Sequence, residues 1–176
     1  MDLRRLLGVV SSACGAAGAR WAVIGGVAMN AYGHARTTFD FDVASEDRHR
    51  GEILRKVEGE GFRLLNDVPA FSNLLHDDRD LGRLDFLWLN DATADIVFRG
   101  TRVLTVPDGP AILVPAPEHL ISMKVRGIQN QPTRVFRDAA DLQHLLRIPG
   151  LDDNQIREAF AKSDLLDLLQ RLRELG

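Results

Sequence analysis

The stretch Trp21-Ala22-Val23-Ile24-Gly25-Gly26-Val27, followed about a dozen residues later by Phe39-Asp40-Phe41-Asp42-Val43, decides the reading of this chain. Trp21 to Ile24 reads as a buried strand that ends at the two glycines, and a short helix follows near Val27 to Tyr32. Residues two apart on a strand share a face. On a second strand, Asp40 and Asp42 therefore point one way, while Phe39, Phe41 and Val43 point the other way and enter a core. Gly25 and Gly26 let backbone N–H groups approach phosphates closely. Alone they would read as a tight turn, and the two acids downstream change that balance.

Asp40 and Asp42 repel each other when both are ionised. A divalent cation between them removes that penalty, and oxygen ligands of this kind suit magnesium or manganese. A third acid, Asp85, lies within Arg83-Leu84-Asp85-Phe86-Leu87-Trp88-Leu89. Apart from Asp85, residues 84–89 are apolar on both faces, which predicts a central, covered strand. A carboxylate there is costly unless it is paired or metal-bound. If the strands of Asp42 and Asp85 are neighbours, three carboxylates meet. Two metals so held can stabilise the attacking and leaving oxygens of a phosphoryl displacement. Asp85 is then the natural acceptor of a hydroxyl proton.

Outward from this stretch, an amphipathic helix is predicted over about Asp2 to Gly18, with Leu3, Leu6, Leu7, Val10, Cys14 and Ala17 on one stripe. That spacing favours a helix of the mature fold over an export signal. Further helices are predicted near 47–60, 117–128 and 134–146, and a single last helix near 154–175 with Leu165, Leu168, Leu169 and Leu172 aligned. Strands are predicted near 62–65, 71–75, 84–89, 96–98, 103–106 and 112–114. The polar run His76 to Asp80 reads as a hairpin turn. The order gives an α+β fold, a mixed sheet flanked by helices with a helical C-terminal tail. The expected division is residues 1–115 as the α+β core and 116–176 as a helical region packed on it.

The chain has 176 residues, a net charge of -3 and a pI near 5.9. That balance speaks against a protein built only to coat nucleic acid. The one cysteine, Cys14, excludes an intramolecular disulfide and fits a cytoplasmic setting. No apolar run is long enough to span a bilayer, so no membrane partner is expected. The five histidines are scattered without zinc-ligand spacing. Gly25-Gly26 lacks the Lys-Ser/Thr of a P-loop and the third glycine of a dinucleotide fold.

Gly25-Gly26, then His34-Ala35-Arg36-Thr37-Thr38-Phe39-Asp40-Phe41-Asp42-Val43, resembles the signature of the polymerase β-type nucleotidyltransferase superfamily. Within it, the chain resembles the small bacterial nucleotidyltransferases of the abortive-infection toxin group (AbiEii-like). Glu118 to Lys124 resembles that group's Lys helix, and Arg137-Asp138-Ala139-Ala140-Asp141-Leu142 resembles its late acidic motif. Two positions depart from the pattern. Val27 stands where many members carry Ser or Thr, and Arg137 replaces a Lys. The resemblance implies that Asp40, Asp42 and Asp85 hold Mg2+ or Mn2+, and that Gly25 and Gly26 meet the triphosphate. Arg36 and Thr38 are further candidates for touching phosphate, although a surface role suits Arg36 as well. Lys124 lies on the core-facing stripe with Leu120, Ile121 and Ile128 and needs a partner. That partner is a triphosphate or, as a structural ion pair, Asp138 or Asp141 on the next helix, and both can hold in different states.

The function so implied is magnesium-dependent transfer of a nucleotide from an NTP to an acceptor hydroxyl on transfer RNA, a protein or a small molecule. The protein would then be a candidate toxin with a cognate antitoxin partner. The alternatives are a non-catalytic nucleotide-binding or protein-interaction module of the same fold, and a metal-dependent phosphohydrolase.

Overall fold

The computed structural model describes residues 1–174 and divides into two compact units, Met1–Pro115 and Ala116–Gly176. In the first unit, Asp2 caps helix α1 (Leu3–Ala16) by accepting a hydrogen bond from the Arg5 backbone N–H at 3.1 Å. Leu6, Val10, Ala13 and Cys14, at helical spacing, are its buried residues. Strand β1 (Trp21–Val23) leads into the short helix α2 (Gly25–Ala31). Strand β2 (Asp40–Glu46) follows, and a 3-10 turn at Asp47–His49 opens α3 (Arg50–Gly59). Strands β3 (Arg63–Val68), β4 (Phe71–Leu75) and β5 (Arg83–Leu89) complete the main sheet.

The sheet order is β1-β2-β5-β4-β3. Only the β2–β5 pair is parallel; β1–β2, β5–β4 and β4–β3 are antiparallel. The α+β reading with a mixed sheet is therefore what the chain adopts, and β4–β5 form the hairpin predicted around His76 to Asp80. Phe41, Val43, Leu84 and Phe86 lie on one face of the two central strands and are buried. The opposite face carries Asp40, Asp42, Arg83 and Asp85, each at least partly open to solvent.

The far end of β2 is held by a different acid. Glu46 is buried and accepts from the Arg20 backbone N–H at 2.8 Å, Arg20 Nη2 at 2.7 Å and Arg48 Nη2 at 2.7 Å. Burial pushes the Glu46 carboxyl up, but the arginines outweigh burial and hold it below its ordinary 4.5. A carboxyl depressed on folding adds stability above its unfolded value, and that stability is lost as pH falls through the folded value. Glu46→Ala, which removes the buried acceptor shared by Arg20 and Arg48 but leaves both guanidiniums open to water and near Asp95 and Asp91, is expected to cost about 1–3 kcal/mol at neutral pH. Urea unfolding at pH 7 and pH 4 checks this, with a smaller gap between variant and wild type at pH 4.

Two expectations are corrected in this unit, at residues 96–98 and at Phe39. Residues 96–98 are not strand but part of helix α4 (Asp91–Arg99). Asn90 caps it by accepting from the Thr93 N–H at 2.9 Å, and Ala94, Val97 and Phe98 bury at helical spacing. The segments near 103–106 and 112–114 are strands, but β6 (Arg102–Thr105) and β7 (Ala111–Val114) pair as a separate two-stranded sheet. Phe39 lies outside β2 and is 81% exposed rather than in the core.

The second unit is helical: α5 (Pro117–Asn130), α6 (Val135–Leu146), α7 (Asp153–Lys162) and α8 (Leu166–Glu174). The predicted single last helix is two. Asp164 takes a positive φ of 56° between them, a backbone state that ends α7. The end of that expected helix, at Leu175, lies outside the described residues. No described helix is long and apolar enough to cross a membrane.

Candidate active site

The β2–β5 register brings the predicted acids together. Asp42 sits opposite Asp85, and Asp40 opposite Arg83, on adjacent parallel strands. Neighbouring strands lie about 4.8 Å apart, and register partners point to the same face. Asp40, Asp42 and Asp85 therefore share one patch of sheet, the condition of neighbouring strands being met. Asn73 on β4 is the register partner of Asp85 on its other side.

Arg83 was not foreseen. Its Nε lies 2.9 Å from Asp85 Oδ1 and 3.1 Å from Oδ2. The hydrogen bond to Asp85 holds the Arg83 guanidinium above its ordinary value, against the effect of burial, and the fields of Asp85, Asp40 and Asp42 add to it. The sequence signal was available: an arginine two residues before the acid, on the same strand face. What it lacked was the register that sets Arg83 opposite Asp40.

The glycines have a tighter role than a turn. Gly25 has a φ of 61°, and a Cβ there would stand 2.0 Å from Asp42 Oδ2. A Cβ on Gly26 would stand 2.5 Å from Thr38 Oγ1 and 3.2 Å from Arg36 Nη2. Both glycines thus lie in the first turn of α2 rather than ahead of it, pressed against the acid and against the loop that precedes it. Gly25→Ala is expected to cost about 1–3 kcal/mol from the left-handed backbone alone and to push the Asp42 carboxylate aside. Thermal unfolding reads the first effect, and a crystal structure of the variant reads the second.

The loop before β2 is anchored at several points. Asn30 Oδ1 accepts from the Arg36 backbone N–H at 2.9 Å, and the Thr38 hydroxyl donates to the Asp40 carbonyl at 3.3 Å. The Ile24 N–H donates to the Asp42 carbonyl at 2.9 Å, which extends the β1–β2 pairing to the edge of the glycines. Arg36 and Thr38 also line an open cavity of about 550 Å³, together with Val27 and Asn30 of α2 and the Val106–Pro110 turn. That volume lies within the range of small-molecule sites. The acids themselves do not line it.

Among the described residues, no three His, Cys, Asp or Glu side chains stand as a closed metal cluster. The contact of Asp85 with Arg83 supplies a physical reason, because it directs that carboxylate to a guanidinium. The donor set nevertheless fits an oxygen-seeking divalent cation. It consists of hard carboxylates on one face of two adjacent strands, with a glycine cradle against Asp42 that any Cβ would fill.

Lys124 belongs to the helical unit. Its Nζ lies 3.1 Å from Asp138 Oδ1 and 2.5 Å from Asp141 Oδ2, and all three residues are buried. Arg134 Nε also donates to Asp138, at 3.1 Å. Burial pushes the Asp138 carboxyl up, but Lys124 and Arg134 hold it below its ordinary value. Of the two partners open to Lys124 from sequence, the carboxylates are the ones it has here. Arg137 is exposed and lies 3.8 Å from Asp138.

No family model matches the sequence, and no curated protein matches it. Solved structures do. The antibiotic-resistance factor ANT(2'')-Ia is similar with a TM-score of 0.58 at 18% identity, covering 99% of this chain and 92% of its own. The lincosamide antibiotic adenylyltransferase LnuA, in its lincomycin-bound form, gives 0.54 at 15% identity over 82% of this chain and 96% of its own. A putative nucleotidyltransferase from Thermotoga maritima gives 0.52 at 15% identity over 78% of this chain and 92% of its own. At these identities the likeness is one of fold, and this chain has the α+β fold of these structures.

Proposed function

We propose that this protein is a metal-dependent nucleotidyltransferase, using Mg2+ or Mn2+ to transfer a nucleotide from an NTP to an acceptor hydroxyl. One observation carries the reading: Asp40, Asp42 and Asp85 share a face of adjacent strands beside the Gly25–Gly26 cradle. Asp40, Asp42 and Asp85 would hold the metal. A divalent ion bound there supplies charge neutralisation at the phosphoryl oxygens.

The other steps fall to the chain itself. Backbone N–H groups at Gly25 and Gly26 meet the triphosphate, and the lack of side chains there lets Asp42 and Thr38 stand close beside them. Arg36 and Thr38 bind its oxygens from the neighbouring loop, and the adjoining cavity receives the rest of the nucleotide or the acceptor. Asp85 takes the proton of the attacking hydroxyl once Arg83 has left it. The acceptor oxygen bonds to the α-phosphorus as the bond to pyrophosphate breaks.

Two of the similar structures are described as acting in antibiotic resistance or on an antibiotic, so a small hydroxylated molecule is the first acceptor to try. Transfer RNA and protein follow. Growth arrest on expression that depends on Asp42 would add the toxin role, and with it a protein antitoxin in the cytoplasm. The Arg83–Asp85 contact favours a second reading, a nucleotide-binding module without catalysis.

Product analysis separates the alternatives. The protein is incubated with magnesium and each NTP beside candidate acceptors, and released pyrophosphate and orthophosphate are both measured. Acceptor-dependent pyrophosphate supports the proposal. Orthophosphate without acceptor labelling indicates a phosphohydrolase, and neither product indicates the binding module.

A further inference from the structure

We propose that Arg83 is an exchangeable counter-ion of the carboxylate face: it holds Asp85 while no divalent cation is bound and gives it up when one enters. The inference rests on the assignment of Asp40, Asp42 and Asp85 as metal ligands.

Three carboxylates on one strand face repel one another, so a positive charge among them stabilises the metal-free protein. Arg83 is placed to supply it. It faces Asp40 across the β2–β5 register and stands two residues before Asp85 on the same face. Its Nε–H is shared between both Asp85 oxygens, at 2.9 and 3.1 Å. A guanidinium stays charged at all relevant pH values, so it cannot be switched off and must be moved.

Movement is open to it. The Arg83 side chain is 44% exposed, against 18% for Asp85. It can swing into water without burying an unpaired charge, whereas Asp85 stays on the sheet. A divalent cation on Asp42 and Asp85 would compete for the same lone pairs and repel the guanidinium. The two occupants therefore exclude each other. Once displaced, Arg83 remains at the edge of the same patch, where an incoming triphosphate offers it a new anionic partner.

Manganese titration by calorimetry or electron paramagnetic resonance, with no nucleotide present, compares wild type with Arg83→Gln. Removing both the competitor and its charge is expected to tighten manganese binding by about tenfold or more. Equal or weaker binding by Arg83→Gln would overturn the inference and make Arg83 a group that positions Asp85 for the metal. No manganese binding by either protein would overturn the metal assignment itself, and the inference with it. Wild type provides a second test that needs no variant. The Arg83 Nε–H resonance is expected to shift and to exchange faster with water as magnesium is added. A resonance unmoved at saturating, independently measured magnesium would contradict the exchange.

Discussion

Asp42→Asn is expected to lower nucleotidyl transfer on the order of a thousandfold, about 4 kcal/mol of transition-state stabilisation, while leaving the protein as stable or more stable. Both halves follow from the same geometry. Asp42 is the register partner of Asp85 and lies against Gly25, so it is the central carboxylate of the patch. An amide of the same shape keeps the packing on Gly25 but loses the charge that a divalent cation needs. Removing the charge of one of three neighbouring carboxylates lessens their mutual repulsion in the metal-free protein. Such a trade of stability for function is common at active sites. Initial rates with magnesium, and melting temperatures measured without metal, check the pair of outcomes. A large loss of both rate and stability would mean that Asp42 is mainly structural.

Lys124→Met is expected to destabilise the helical unit by about 3–5 kcal/mol, the cost of breaking a buried ion pair from one side. The Asp138 and Asp141 side chains are 2% and 1% exposed, so water cannot replace the ammonium. Arg134 stays beside Asp138, which places the cost nearer the lower end of that range. The pH dependence has a definite sign. The Asp138 carboxyl lies below its ordinary 3.8 in the folded protein. Its contribution is complete above that value and is lost as pH falls through the folded value. Wild type should therefore lose stability below about pH 4, and Lys124→Met should lose less over the same interval. Chemical denaturation at pH 7 and pH 3 measures both.

The parts of this protein that were legible in its sequence were governed by short-range rules. Period-two alternation placed Asp40 and Asp42 on one face, with Phe41 and Val43 in the core on the other. A polar run between two apolar segments gave the β4–β5 hairpin. The helical stripe put Lys124 in a buried position that demanded a carboxylate or a phosphate. Where the reading failed, local signals competed. Ile96 to Phe98 is a short apolar run, which periodicity alone assigns equally to strand or helix. The Asn90 cap and the spacing of Ala94, Val97 and Phe98 were the features that decide for helix. Phe39 continued the alternation on paper, but β2 begins one residue later. The break at Asp164 carries no glycine or proline to announce it. Arg83 was hidden for a different reason. Its contact depends on which strands are neighbours and on their register, and a parallel β2–β5 pairing across about forty residues is a property of the whole sheet.

The most direct test of nucleotidyl transfer follows the nucleotide itself. Purified protein, magnesium and each α-³²P-labelled NTP are incubated with small-molecule acceptors, bulk transfer RNA and cell lysate, beside an Asp40→Ala/Asp42→Ala control. The account predicts label on one acceptor class with the intact acids and none with the control. Nucleotide binding that needs magnesium but leaves every acceptor unlabelled would contradict it.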